Sequence, residues 1–252
     1  MTADDLLAAL NLPAATCVNQ RVPKKLLLEN GAPTAADRRA ITEGVEECQW
    51  VAALKQHTIG VAEYHDADRS YIEIHVLRLT VMTGASTNRL IELIHRAIPY
   101  PVFLIHEQGS LLGVSAAHKR HSLGEAGKSV LDTPPVAVEF EKQRLAEFVP
   151  EFCAAVAIGL QPGISMYHVY AGWIDALLAL LVAGRIGRFQ ICDTRADADA
   201  RQIALRECHT VDAEIRRIRA AAARETQLTR ISDLNQALSS ARARLAAAEA
   251  RL

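Results

Sequence analysis

Aromatic residues are scarce in this sequence, only 5% of 252 residues, so a core must be built from Leu, Ile, Val and Ala, which is the composition of helical packing. Paired cysteines are lacking as well. Cys17, Cys48, Cys153, Cys192 and Cys208 lie far apart, odd in number and without a CxxC, which argues against a disulfide framework or zinc site and for reduced thiols in the cytoplasm. A net charge of -1 removes the simplest electrostatic case for a nucleic-acid binder and requires any basic surface to be local. The start of the chain, Met1-Thr2-Ala3-Asp4-Asp5, is acidic where an export signal is basic. Long apolar runs are missing too: the best, Trp173 to Val182, carries Asp175 and reaches about half of the roughly twenty residues that span a bilayer. No membrane contact is expected.

With 50% hydrophobic and 23% charged residues the chain has a globular composition. Thr34 or Asp37 is suited to cap a helix running to about residue 56, with Ile41, Val45, Cys48 or Gln49, and Ala52 on one stripe. Residues 58–64 and 71–82 read as strands around the turn His65 to Ser70. A helix over 88–97 follows, with Leu90, Leu93, Ile94 and Ala97 at helical steps, and Pro99 and Pro101 end it. Apolar runs at 102–105 and 111–117 flank Glu107-Gln108-Gly109-Ser110 and suggest a hairpin. Residues 136–140 add a strand, and 141–158 and 166–182 read as helices. The turn Gly184-Arg185-Ile186-Gly187 ends the second of these.

Neither glycine nor proline occurs after Gly187, so nothing in the last sixty or so residues forces a turn. Ile231, Leu234, Leu238, Ala241, Leu245, Ala248 and Leu252 form a heptad seam. An earlier stripe, Val211, Ile215, Ile218 and Ala222, slips phase near Arg224-Glu225-Thr226, as at a stutter. The expected architecture is α/β of the α+β kind: a mixed-sheet sandwich with flanking helices over 1–121, a linker at 122–135, a helical extension over 136–192 and a long coiled-coil helix over 193–252. That helix needs a partner, either a second copy of itself or another protein.

Chemistry is thinly signposted. Arg21, Lys24 and Lys25 stand in a segment without helical or strand pattern, and Lys119 and Arg120 follow directly on a strand within His118-Lys119-Arg120-His121. Cations on loops and strand ends suit phosphate contact, which positions a nucleic-acid backbone without reading bases. Together these five would make one positive site, provided the two segments converge. No HxxxH, GxSxG or GxxxxGKS pattern is present, so no catalytic residue, metal or cofactor is assigned. The enzymatic alternative is a magnesium-dependent nuclease. Glu73 would work with Glu43, Glu46, Glu47, Asp66 and Asp68 around the first strands, although Glu73-Ile74-His75 has no lysine at its second position.

Several segments carry a family likeness: Val18-Asn19-Gln20-Arg21-Val22-Pro23-Lys24-Lys25, Glu73-Ile74-His75-Val76, Ala97-Ile98-Pro99-Tyr100-Pro101, Ala117-His118-Lys119-Arg120, Tyr170-Ala171-Gly172-Trp173-Ile174 and Glu225-Thr226-Gln227-Leu228-Thr229-Arg230. Nearly end to end, the chain resembles the uncharacterised prokaryotic family catalogued as domain of unknown function 4391. It departs from the family where the strand after Glu73 lacks further acidic residues and where Thr226 replaces a basic one. The resemblance implies a context of restriction or antiphage-like gene clusters with helicase-like ATPases and DNA methyltransferases as neighbours. The leading expectation is therefore a non-catalytic accessory subunit that touches DNA phosphates or such a partner. A coiled-coil scaffold with no nucleic-acid role, self-associating through its C-terminal helix, is the further alternative.

Overall fold

The computed structural model describes residues 1–125, 127–141 and 143–252. Ala126, in the expected linker, and Lys142, in the expected helix after it, lie outside the described residues. The chain divides into two compact units, Met1–Leu180 and Leu181–Leu252.

The first unit begins with α1 (Ala3–Ala9), β1 (Cys17–Arg21), α2 (Lys24–Gly31) and α3 (Ala35–Gly44). Thr34 caps α3 as expected, its Oγ1 accepting the Asp37 N–H at 3.1 Å. The helix does not continue to residue 56, however: from Val45 the chain is β2 (Val45–Lys55), paired antiparallel with β5 (Glu73–Val81). The stripe that resembled a helix has a different origin. Register shifts interrupt β2 between Val45 and Glu47 and between Trp50 and Ala52. An extra residue at such a bulge turns the two-residue step of a strand into a three-residue one.

Residues 58–64, expected as a strand, instead form α4 (Gln56–Ile59) and the start of a small ribbon, β3 (Tyr64–His65) with β4 (Ser70–Tyr71). Then come α5 (Thr87–Ala97), β6 (Val102–Gln108), β7 (Leu111–Ala116), β8 (Lys119–His121), β9 (Ser129–Leu131), β10 (Val136–Glu139), α6 (Gln143–Ala146), α7 (Val149–Ala155) and α8 (Met166–Ile186). Part of the stretch read as a linker is β9, hydrogen-bonded to β8. The six-stranded sheet has the order β1-β2-β5-β6-β7-β10. Its one parallel pair, β5 with β6, is bridged by α5, and the other neighbours run antiparallel.

Each face of the sheet buries a separate apolar layer. Leu77, Leu79 and Leu104 meet Leu27, Ile41, Leu90, Leu93 and Ile94 from α2, α3 and α5. The alternate residue Phe103 points the other way, its ring 4.9 Å from Trp173 of α8. Close approach of α2 to α5 requires Gly31, where a Cβ would stand 2.7 Å from both Ala97 Cβ and Leu93 O. By length and composition α8 could cross a membrane, but 67% of its apolar window is buried inside the protein, as in a core helix. It ends at Ile186 with Gly187 at φ 76, the left-handed cap that the glycine suggested.

The second unit holds α9 (Arg195–Ala222) and α10 (Leu228–Glu249). The C-terminal region is helical as expected, but it is folded back into a hairpin instead of extending as one helix. Val211, Ile215 and Ile218 of α9 pack with Ala241, Leu234, Leu238 and Leu245 of α10, so the two stripes are the two sides of one seam. The phase slip is the turn. Without glycine or proline it is closed by Glu225, whose carboxylate accepts the N–H groups of Thr226 at 2.9 Å and Gln227 at 3.0 Å. Ion pairs clamp the hairpin away from the turn: Arg244 with Glu214 at 2.5 Å, Arg251 with Glu207, and Arg185 with both Asp212 and Glu249.

Candidate nucleic-acid interface

The five basic residues expected to converge are dispersed. Arg21 ends β1, an outermost strand of the sheet, and is exposed. The segment around it is ordered rather than irregular: Lys24 and Lys25 open α2. Lys24 Nζ donates to Thr42 O at 3.1 Å, and Lys25 faces Glu29 at 3.8 Å across one helical turn. Thr42 belongs to the end of α3 that feeds β2, which puts Lys24 beside the Val45–Val81 end of the sheet.

Lys119 belongs to the opposite end. It is 2% exposed, and its Nζ donates to the carbonyls of His95 and Ile98. Those oxygens terminate α5, where the backbone lacks intrahelical donors and a cation is favoured. Burial lowers the amine to about 7. Lys119 therefore caps a helix from inside the core and is closed to solvent phosphate. Arg120 is partly buried, its Nε 3.7 Å from Asp132. Ile98 lies just ahead of Pro101, whose carbonyl accepts the His75 N–H at 2.9 Å. The span from His75 to Val81 separates the two clusters by roughly 20 Å along β5.

Around the second cluster the side chains hold one another in place. The Tyr71 hydroxyl lies 2.8 Å from His118 Nδ1 and accepts the Lys119 N–H at 3.1 Å. The rings of Tyr64, Tyr167 and His118 stack at centroid spacings of 4.9 and 5.3 Å. Arg69 lies 5.7 Å above Tyr167 and shares Asp132 with Arg120, at 2.9 Å from its own side. One carboxylate thus serves two guanidinium groups, which pins the β3–β4 ribbon to β8 and β9.

Glu73 is likewise engaged by cations and rings, not by other acids. Its Oε2 is 3.2 Å from Lys55 Nζ and 3.5 Å from His75 Nε2, and burial with the nearby Glu73 charge raises the Tyr100 hydroxyl above its ordinary value. Trp50 and Tyr100 lie 4.4 and 4.8 Å from the His75 ring, and burial lowers its pKa to about 4. Glu43 faces Arg39 on α3, and Glu46 and Glu47 begin β2 at the far end of the sheet. Asp66 accepts the Tyr64 hydroxyl at 2.7 Å and backbone N–H groups from Asp68 and Arg69. Among the described residues no group of three or more His, Cys, Asp or Glu side chains is placed to hold a metal ion. The carboxylates of the nuclease alternative are not gathered at Glu73.

The strongest basic feature was missed because it is a property of a region. Residues 1–180 hold fifteen Lys and Arg against twenty Asp and Glu, a net charge of -5. Residues 181–252 hold thirteen arginines, no lysine and nine acids, a net charge of +4. Counting charge by half would have exposed the asymmetry that the total of -1 conceals.

An α+β unit with a six-stranded mixed sheet, carried in one chain with an arginine-rich helical hairpin, thus defines the class of protein. Within it, the chain belongs to the family described as domain of unknown function (DUF4391), whose model matches residues 10–245. No curated protein and no solved structure matches it.

Proposed function

We propose that this protein is a non-catalytic, cytoplasmic accessory subunit of a DNA-associated system of the restriction or antiphage kind, and that it contacts nucleic-acid phosphates through its C-terminal hairpin. The observation that carries this reading is the partition of charge between the two units, with an all-arginine cationic surface on the smaller one. Guanidinium groups are suited to this task, because their planar fork of donors matches phosphate oxygens and holds its charge at any physiological pH. Chemistry would reside in a helicase-like ATPase or DNA methyltransferase partner. The scaffold alternative loses its main support, since the seam expected to drive self-association is closed within one chain.

Binding of the full chain to a labelled DNA duplex, measured across a salt series, tests the reading. Phosphate contacts release counterions, so log affinity should fall linearly with log salt. Absence of binding at low salt, or binding indifferent to salt, would contradict it.

A further inference from the structure

The thirteen arginines of residues 181–252 fall into three sets: partnered, singly unpaired, and clustered at the turn. Arg185, Arg195, Arg244 and Arg251 each face a carboxylate, and Arg201 donates to Gln190 O at 2.5 Å. Arg185 belongs to α8 and the other four lie away from the turn; Arg188, Arg206 and Arg242, scattered along the unit, are exposed and, among the described residues, have no ion-pair or hydrogen-bond partner. Arg216, Arg217, Arg219 and Arg224 are exposed and, among the described residues, have no ion-pair or hydrogen-bond partner. They fall within nine residues where α9 ends and the turn begins. Arg230, 3.8 Å from Glu225, opens the other side. Between residues 216 and 233 five arginines stand against two acids, Glu225 and Asp233, and Glu225 is occupied in closing the turn.

We propose that this tip is a phosphate-binding site for the backbone of a nucleic acid, formed by Arg216, Arg217, Arg219 and Arg224 with Arg230 beside them. It rests on the function proposed above and gives that function a location. Arg216 and Arg219, three residues apart, share one flank of α9, while Arg217 points to the other side of the seam residues Ile215 and Ile218. The fork donors therefore straddle the end of the hairpin. Between Arg219 and Arg224 the chain reads Ala220 to Ala223, so small side chains leave room for a phosphate backbone to approach. Helix-dipole compensation at the end of α9 accounts for one or two cations in the last turn. It does not account for four in nine residues with no carboxylate between them, whereas the other unpaired arginines of the unit, Arg188, Arg206 and Arg242, stand singly. Leu228 stands 84% exposed between Arg224 and Arg230, an apolar contact beside the cations of the kind sugar and base faces accept.

The test compares the full chain with two fourfold variants, Arg216→Gln/Arg217→Gln/Arg219→Gln/Arg224→Gln and the matching Arg→Lys set, on a DNA duplex and a single strand of the same sequence. Glutamine should flatten the duplex log–log salt slope by about 3 to 4, at roughly 0.9 per lost contact, and lysine should preserve it. Far-ultraviolet circular dichroism should give all three proteins the same thermal transition. Duplex and single strand separate the two sources of phosphate backbone, and loss of slope on either supports the site. Wild-type binding with a slope unchanged by glutamine would overturn the tip and spare the broader function. A wild type that binds neither nucleic acid but binds polyglutamate would overturn both, and would make the tip a docking site for an acidic protein.

Discussion

In residues 1–180 four basic side chains, His75, His95, His106 and Lys119, are buried, whereas in residues 181–252 no arginine is buried among the described residues. The sheet unit uses basic groups as internal polar joints. Lys119 closes the end of α5, and His95 Nε2 lies 3.0 Å from Ser115 Oγ of β7. The second unit uses them as surface charge, with five of its thirteen arginines facing a carboxylate. A basic residue is therefore evidence for a binding surface only where the fold leaves it in water. The same residue type at the end of a strand became a core element.

The largest expected effect of this difference is acid sensitivity of the sheet unit. Burial holds His75 and His106 at about 4, and burial with the nearby Lys119 and His106 charges holds His95 at about 3, all below the ordinary 6.5. The unfolded chain takes up these protons first. Stability is therefore complete above about 6.5 and is lost as pH falls through the window toward 4, by on the order of 3 kcal/mol per histidine once it is fully titrated. Trp50 and Trp173 both belong to this unit, so urea midpoints read by tryptophan fluorescence should drop between pH 7 and 5. A flat profile would mean that the buried histidines are not held neutral.

A smaller effect is expected at Lys119. Lys119→Ala removes the donor from two helix-ending carbonyls and opens a cavity, which should cost about 2 to 4 kcal/mol in urea unfolding. The salt slope for DNA should not change. If the slope flattens by about 1 while stability holds, Lys119 is a phosphate ligand after all.

Elements with a clean local period were legible in the sequence. The Leu90, Leu93, Ile94 and Ala97 stripe gave α5, the apolar runs about Gly109 gave β6 and β7, and Thr34 gave the start of α3. β2 was not legible, because a register shift places Val45 and Cys48 three residues apart on one face, and Ala52, paired with Val76 on the other face, continues the helix-like spacing by coincidence. The hairpin turn was visible only as a slip in phase. A side-chain cap from Glu225 does there what glycine or proline more commonly does, so the absence of breakers was a poor guide. For the site, the burial of Lys119 depends on the end of α5, some twenty residues away in sequence, and no local pattern encodes it. The tip arginines were in plain view but spaced as an ordinary wet helix face. Their clustering, four unpaired guanidinium groups within nine residues, distinguishes them from Arg188, Arg206 and Arg242, which are unpaired singly.

The most direct test of the central claim follows the arginine side chains themselves. In the full chain labelled with nitrogen-15 arginine, titration with a DNA duplex should shift the Nε–Hε signals of Arg216, Arg217, Arg219 and Arg224, and leave those of Arg21, Arg69 and Arg120 in place. Shifts confined to the sheet unit, with the tip signals unmoved, would contradict the account.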